Sequence, residues 1–290
     1  MPMPAQKPTT TPIPVQLSES EFNPFILPYL SMPRRGPKGK LAYHCLFNLI
    51  LWVLYTGMQW KCLPVPKDHD GKAQIHYTTV YKAFAKWADD GSLEHAFIAS
   101  VKHLVDHQQL DLSVLHGDGT NTVAKKGGDG IGYSGYKHQK GEKVIAIIDH
   151  HGYILAPLPV APVNNADTVL LPQGLKALKR VAKLTGLRLH RSSLNLDGGF
   201  DSRANRKVIF NAGLIPNIPE NPRHRKHTKR GRKRWFDAWS HTLRDRVERT
   251  FAWEDQFKRL WLRFEHQQRR HYGMKLMAYT LINLRRFCAT

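Results

Sequence analysis

Asp118, Asp197 and Glu248 are the residues of this 290-residue chain whose type and setting could do chemistry together. Asp118 closes the apolar stretch that begins at Val114, and Gly119 follows it, which is how a strand delivers a carboxylate to the edge of a sheet. Asp197 closes Leu194-Asn-Leu196 just before Gly198 and Gly199. Both acids are expected at the C-terminal ends of strands, where α/β folds place their sites. Glu248 lies in a helix-like stretch with Arg244 one turn earlier on nearly the same face. That face could present an acid for a metal and a guanidinium for a phosphate. Carboxylates converging from distant parts of a chain can hold two divalent cations ~3.5–4 Å apart, which clamp the attacking and leaving oxygens of a phosphoryl transfer. Each acid also has a plainer reading. Asp-Gly is an ordinary turn pair. Asp197 competes with Asp201, itself a cap for the next helix, and a Glu among arginines is commonly half of a surface ion pair. Asp129, Asp149 and Asp167 sit in turn or cap contexts and take no catalytic role, and the 16 histidines show no metal-ligand or triad spacing.

The charge says what such a site would act on. A net charge of +21 repels itself unless a polyanion is near, and the commonest polyanion is nucleic acid. Arg223, Arg225, Lys226, Lys229, Arg230, Arg232, Lys233 and Arg234 place eight positive residues in twelve positions with no acid between them, a basic insert at about 220–236 suited to phosphate. Arg34, Arg35, Lys38 and Lys40 form a smaller basic turn. An anionic membrane fits less well, because the basic runs adjoin no amphipathic apolar face. Cys45, Cys62 and Cys288 are odd in number and far apart, the pattern of reduced thiols in a cytoplasmic protein.

The elements that must position these residues fall into two parts. Residues 1–20 read as a disordered arm, and 21–110 as a small all-helical DNA-binding domain of helix-turn-helix type, with helices over 41–55, 77–89 and 92–108. From 111 to 290 the period changes. Strands are expected at 113–117, 143–149, 153–160 and 189–196, with a Gly-rich connection over 122–136. Helices are expected at 168–184, capped by Asp167, and at 202–212. A long helix over 240–265 should bury a stripe of Trp239, Leu243, Val247 and Phe251, and a last helix covers 271–287. The fold class is α/β, a mixed sheet flanked by helices.

Several segments, in order, resemble those of bacterial insertion-sequence transposases of the RNase-H-like DDE class, in the IS-five group. These are Thr56-Gly-Met-Gln-Trp-Lys-Cys-Leu-Pro64, Lys86-Trp-Ala-Asp-Asp-Gly91, Gly117-Asp-Gly-Thr120, Asp197-Gly-Gly-Phe200 and Arg244-Asp-Arg-Val-Glu-Arg-Thr-Phe-Ala-Trp253. The resemblance implies an RNase-H-like catalytic domain with Asp118, Asp197 and Glu248 as a triad binding two Mg²⁺, or Mn²⁺ in its place. It implies that Arg244 steadies phosphate and that Lys258 and Arg259 touch DNA. His241 and Asp255 stand where the wider class often has Tyr and Lys. The implied partners are double-stranded DNA, as element ends and target, and further copies of the chain in a homodimer or larger assembly. The implied location is the bacterial cytoplasm, at the nucleoid. Two rivals remain: a non-catalytic DNA-binding regulator or decayed transposase, and an RNase-H-like nuclease or resolvase without strand transfer.

Overall fold

The sheet is built on β1 (Val114–Val123), the strand that carries Asp118. On one side β1 pairs antiparallel with β3 (Gln139–Ile148), from His116↔Ile148 to Val123↔Gly141. On the other it pairs parallel with β5 (Ser193–Asn195), which pairs parallel with β6 (Ile215–Asn217). Two short strands, β2 (Gly132–Ser134) and β4 (Val160–Pro162), lie antiparallel to β3. An antiparallel meander followed by parallel strands is the RNase-H-like mixed sheet expected from the sequence. The computed structural model describes residues 12–33, 39–157, 159–221 and 234–288.

The N-terminal helices are α1 (Glu19–Phe25), α2 (Tyr43–Thr56), α3 (Tyr77–Asp89) and α4 (Ser92–Asp106). Ser18 and Glu21 close a capping box at the start of α1, and Gly57, at φ 73°, supplies the left-handed residue that ends α2. The sheet carries α5 (Asp167–Thr185), α6 (Arg203–Asn211), α7 (Ala238–Thr242), α8 (Asp245–Glu254) and α9 (Gln268–Leu284). From Gly273 to Leu284 every residue of α9 is buried. It packs against α3, α4 and α8, so one continuous core runs from Ile13 to Cys288 through both the helical module and the sheet. The polar side chains it buries are partnered, Lys275 by Glu254 and Asn283 by Ser100 and the Ile154 carbonyl. No helix among the described residues is long and apolar enough to cross a membrane.

Four expectations are corrected. β1 does not end at residue 117. It runs on to Val123 because β3 supplies partners for its polar half, so Asp118 lies mid-strand rather than at a strand end. The expected strand over 153–160 shrinks to a single Ile148↔Ile154 bridge and the short β4. β6 has no counterpart among the expected strands. It is three residues long, and Pro216, which has no N–H to give, sits on it at the sheet's edge. The long helix over 240–265 is broken into α7, α8 and a 3-10 turn at Lys258–Leu260. Val247 keeps its place in the core, but Trp239 is 74% exposed.

Candidate active site

Asp118 lies two residues past His116, the last position at which β1 pairs with β5. Beyond that point β5 has turned away, so the carboxylate stands where its parallel neighbour has ended. Close approach of the two strands depends on Gly117, where an added Cβ would come within 2.6 Å of the Leu196 side chain. A larger residue would have to displace the Leu196 side chain, which is fully buried.

Asp197 follows β5 directly and turns the chain into a 3-10 turn at Gly198–Phe200, its side chain accepting from the Gly199 N–H. Both Asp118 oxygens are engaged. Oδ1 accepts from the Gly119 N–H at 2.8 Å, and Oδ2 accepts from Arg244 Nη2 at 2.8 Å. Burial pushes the Asp118 carboxyl above the usual carboxylate range, and the charges of Asp197 and Asp167 push the same way against Gly119 and Arg244. Asp118 and Asp197 therefore lie near enough for their charges to oppose one another. Arg244 immediately precedes α8, and Glu248 projects from the first turn of that helix with its side chain exposed. Among the described residues, no three His, Cys, Asp or Glu side chains stand together as a ready ligand set for a cation. The donors are all carboxylate oxygens, the right chemistry for Mg²⁺ or Mn²⁺, and Arg244 occupies Asp118 where such a cation would bind.

His116 shares the face of Asp118, since side chains two apart on a strand point the same way. It is fully buried, and burial, with His150, Arg246, Arg244 and His241 adding positive charge around it, pushes its pKa down to about 3. A neutral imidazole thus floors the acid's side of the strand. Asp167, expected to cap α5, lies inside the first turn behind Ala166 and pairs instead with Lys143 at 2.8 Å. Its oxygen lies 3.1 Å from where a Cβ on Gly119 would be. Sequence reasoning did not single out His116 and gave Asp167 only the role of a cap. Strand alternation from Asp118 points to His116, whereas nothing local ties Asp167 to β1.

The basic residues divide. Arg34, Arg35, Lys38, Arg223, Arg225, Lys226, Lys229, Arg230, Arg232 and Lys233 lie outside the described residues. Lys40 and Lys258 are exposed. Arg259, expected at DNA, is buried and donates through Nε and Nη2 to Glu265 Oε1 at 3.1 and 2.7 Å, so it serves the core. Arg234 donates to Asp201 Oδ1 at 2.8 Å. Asp201 is not the cap of α6 either, because Ser202 accepts from the Asn205 N–H in that role.

The stretch from residue 109 to 281 matches the family model described as the transposase DDE domain. Over 144 residues the chain is 32% identical to a Burkholderia cepacia protein named as a transposase for insertion sequence element IS402, a match covering 49% of this chain and 62% of that relative. Among solved structures it is similar to a Mos1 transposase in a paired-end complex with the left transposon end, at 11% identity and a TM-score of 0.27 over 64% of this chain and 61% of that one. The match spans more than half of the chain and includes Asp118, Asp197, Arg244 and Glu248, so the chain belongs to the DDE transposase-domain family.

Proposed function

We propose that this chain cleaves and joins DNA as the transposase of a bacterial insertion sequence, with Asp118, Asp197 and Glu248 holding two divalent cations. The observation that carries the reading is the Arg244–Asp118 pair, which brings the first turn of α8 onto β1 beside Asp197. Two Mg²⁺, when bound, supply positive charge to the attacking and leaving oxygens of an in-line displacement. The chain's own residues do the rest. Asp118, Asp197 and Glu248 would hold the cations. Arg244 balances the charge of Asp118 and, one turn before Glu248, could also take a phosphate oxygen. In the first reaction water attacks phosphorus and the bond to the 3′ oxygen breaks, leaving a 3′-OH that has taken up a proton. In the second, that hydroxyl attacks a target phosphodiester, loses its proton, and displaces the target's own 3′ oxygen. The helical module over 21–110 would read the element's ends in helix-turn-helix fashion, and the 223–234 basic stretch would hold backbone. Pairing two ends calls for a dimer or larger assembly on the DNA.

One observation favours a second reading, a DNA-binding protein that does not cut: the described residues hold no preassembled set of three acids. One experiment separates them. The protein is incubated with Mg²⁺ and duplex DNA from the borders of its own gene, and 3′-OH ends are mapped at nucleotide resolution beside Glu248→Gln and Asp118→Asn. Cuts at the termini that vanish in both variants support the transposase. Binding without cutting, in Mg²⁺ and in Mn²⁺, supports the second reading, and cutting that Glu248→Gln leaves intact removes that residue from the triad.

A further inference from the structure

No acid stands between Asp167 and Asp197, yet six arginines and lysines do. Four of them fall on α5 and are exposed: Lys176, Lys179, Arg180 and Lys183. Positions three and four apart on a helix are neighbours, so these side chains form like-charged pairs that repel one another. A helix C-terminus suits positive charge in its last turn, which accounts for Lys183 but not for Lys176 two turns earlier. Of the four, Arg180 alone pairs with an acid among the described residues, Glu94 on α4. Lys179 Nζ donates to the Asn211 carbonyl at 2.9 Å and so joins α5 to α6. On α6, Arg203 and Lys207 are exposed one turn apart, and that helix has no acid. Asp167, the one acid of α5, is taken by Lys143. The two helices thus share an outer face of one sign, whereas a surface charged only for solubility interleaves both.

This face lies behind the candidate site. α5 packs on β3, where a Cβ on Gly174 would lie 3.9 Å from Ile147 Cδ1. Ile147 pairs with Gly117 and Ala146 pairs with Asp118, so Ile147 points to the side of the sheet that Asp118 does not. The outer side of α5 therefore stands a helix diameter, about 10–12 Å, beyond the far side of the sheet. Duplex DNA is stiff over about 150 bp, so a straight duplex engaged at Asp118 does not reach that face. The side chains also say how a ligand would be held. Lysine ammonium groups on flexible stems are point charges that meet phosphate without fixed geometry. Two helices lying side by side on a sheet send no element into a groove, so they hold backbone and leave the bases unread.

We infer that the outer face of α5 and α6 is a second DNA surface, which holds the backbone of a further duplex of any sequence while the other side of the sheet holds the DNA being cut. The inference rests on the DNA-cleaving reading above and adds to it a duplex kept at high local concentration for the joining step. The test uses the full chain loaded with one unlabelled duplex from the borders of its own gene per protomer. A short labelled duplex of unrelated sequence is then titrated in and followed by fluorescence anisotropy. Lys176→Gln/Lys179→Gln/Lys183→Gln/Lys207→Gln should bind the unrelated duplex about tenfold more weakly, and its slope of log K against log salt should flatten by about 0.9 for each phosphate released. Its affinity for the border duplex should stay within about twofold of wild type. Arginine at the same four positions keeps the charge, should bind as wild type does, and guards against misfolding. Lysine acetylation mapped by mass spectrometry should slow at the four positions only when the unrelated duplex is added. Acetylation that does not change there, or an affinity and salt slope that survive the glutamine variant, overturns the second surface and leaves the DNA-cleaving reading standing. Failure of the wild type to bind border duplex overturns that reading itself, and the second surface with it.

Discussion

Arg263→Met tests whether the chain's buried charges are placed as described. Arg263 is fully buried and donates to four acceptors: Glu142 Oε2 at 2.8 Å, Asp129 Oδ1 at 2.6 Å, and the Glu265 and His266 carbonyls at 2.9 and 2.8 Å. Its own N–H donates to the Val123 carbonyl at 2.8 Å, which ties the segment after the 3-10 turn to the end of β1. The acceptors are not equal. Asp129 is 63% exposed, so water screens it and its loss costs little. Glu142 is fully buried, with the His271 ring 3.4 Å away as its other neighbour. Methionine fills much of the volume but leaves the Glu142 carboxylate buried and uncompensated, a loss of about 3–5 kcal/mol. At roughly 2–4 °C per kcal/mol, the melting point should fall by about 10 °C. Glu142→Gln added to Arg263→Met removes the stranded charge and should restore about 2 kcal/mol, a coupling within the range for residues in contact. Melting followed by circular dichroism and calorimetry measures both steps. As a control, Lys102→Ala, which breaks an exposed pair on α4, should leave the melting point essentially unchanged. A fall of under about 2 °C for Arg263→Met, or a double variant no better than the single, refutes the reasoning.

Two further outcomes are expected. At Gly141 an added Cβ would lie 2.2 Å from the Thr122 carbonyl oxygen across the β1–β3 ladder, so Gly141→Ala should destabilise by about 3 kcal/mol or more, whereas Gly186→Ala, whose φ of 77° is the obstacle and whose surroundings are open, should cost about 1–2 kcal/mol. Urea unfolding compares them, and equal losses would show that the ladder is looser than described. Replacing the seven basic residues from Arg223 to Lys233 with Ser should lower duplex affinity and flatten the slope of log K against log salt, by about 0.9 for each phosphate no longer neutralised. Anisotropy titrations at several salt concentrations read that slope, and an unchanged slope would remove the stretch from the DNA interface.

The helices of the N-terminal part were legible because their signals are local. α2, α3 and α4 announce themselves by apolar spacing, and α2 and α3 end at Gly57 and Asp90, close to where expected. The three acids each sit in a short pattern of neighbours. What the sequence hides is nonlocal. Nothing in the polar stretch Thr120-Asn-Thr122 reads as strand, yet β3 makes it one by pairing with it. Glu142 reads as a surface acid until Arg263, 121 positions away, is folded onto it.

The largest departure from expectation is the long helix over 240–265, and its cause bears on the site. Neither Gly nor Pro lies between Ser240 and Glu265, and Trp239, Leu243, Val247 and Phe251 keep a four-residue spacing throughout, so local propensity favours one continuous helix. Tertiary contacts overrule it at the Leu243–Arg244 junction. Asn195 and Asn217 hold the backbone of 237–240 against the ends of β5 and β6, while Asp118, 126 positions earlier, takes the Arg244 guanidinium. A straight helix through 239–251 would keep Trp239 on the same face as Val247, which is fully buried. Breaking it frees the first turn to set its aromatic side chains outward and leaves α8 to start at Asp245, with Arg244 just before it reaching Asp118 on β1. The departure from local rule therefore falls beside the Arg244–Asp118 pair, where a chain shaped for function is expected to depart from its own propensities.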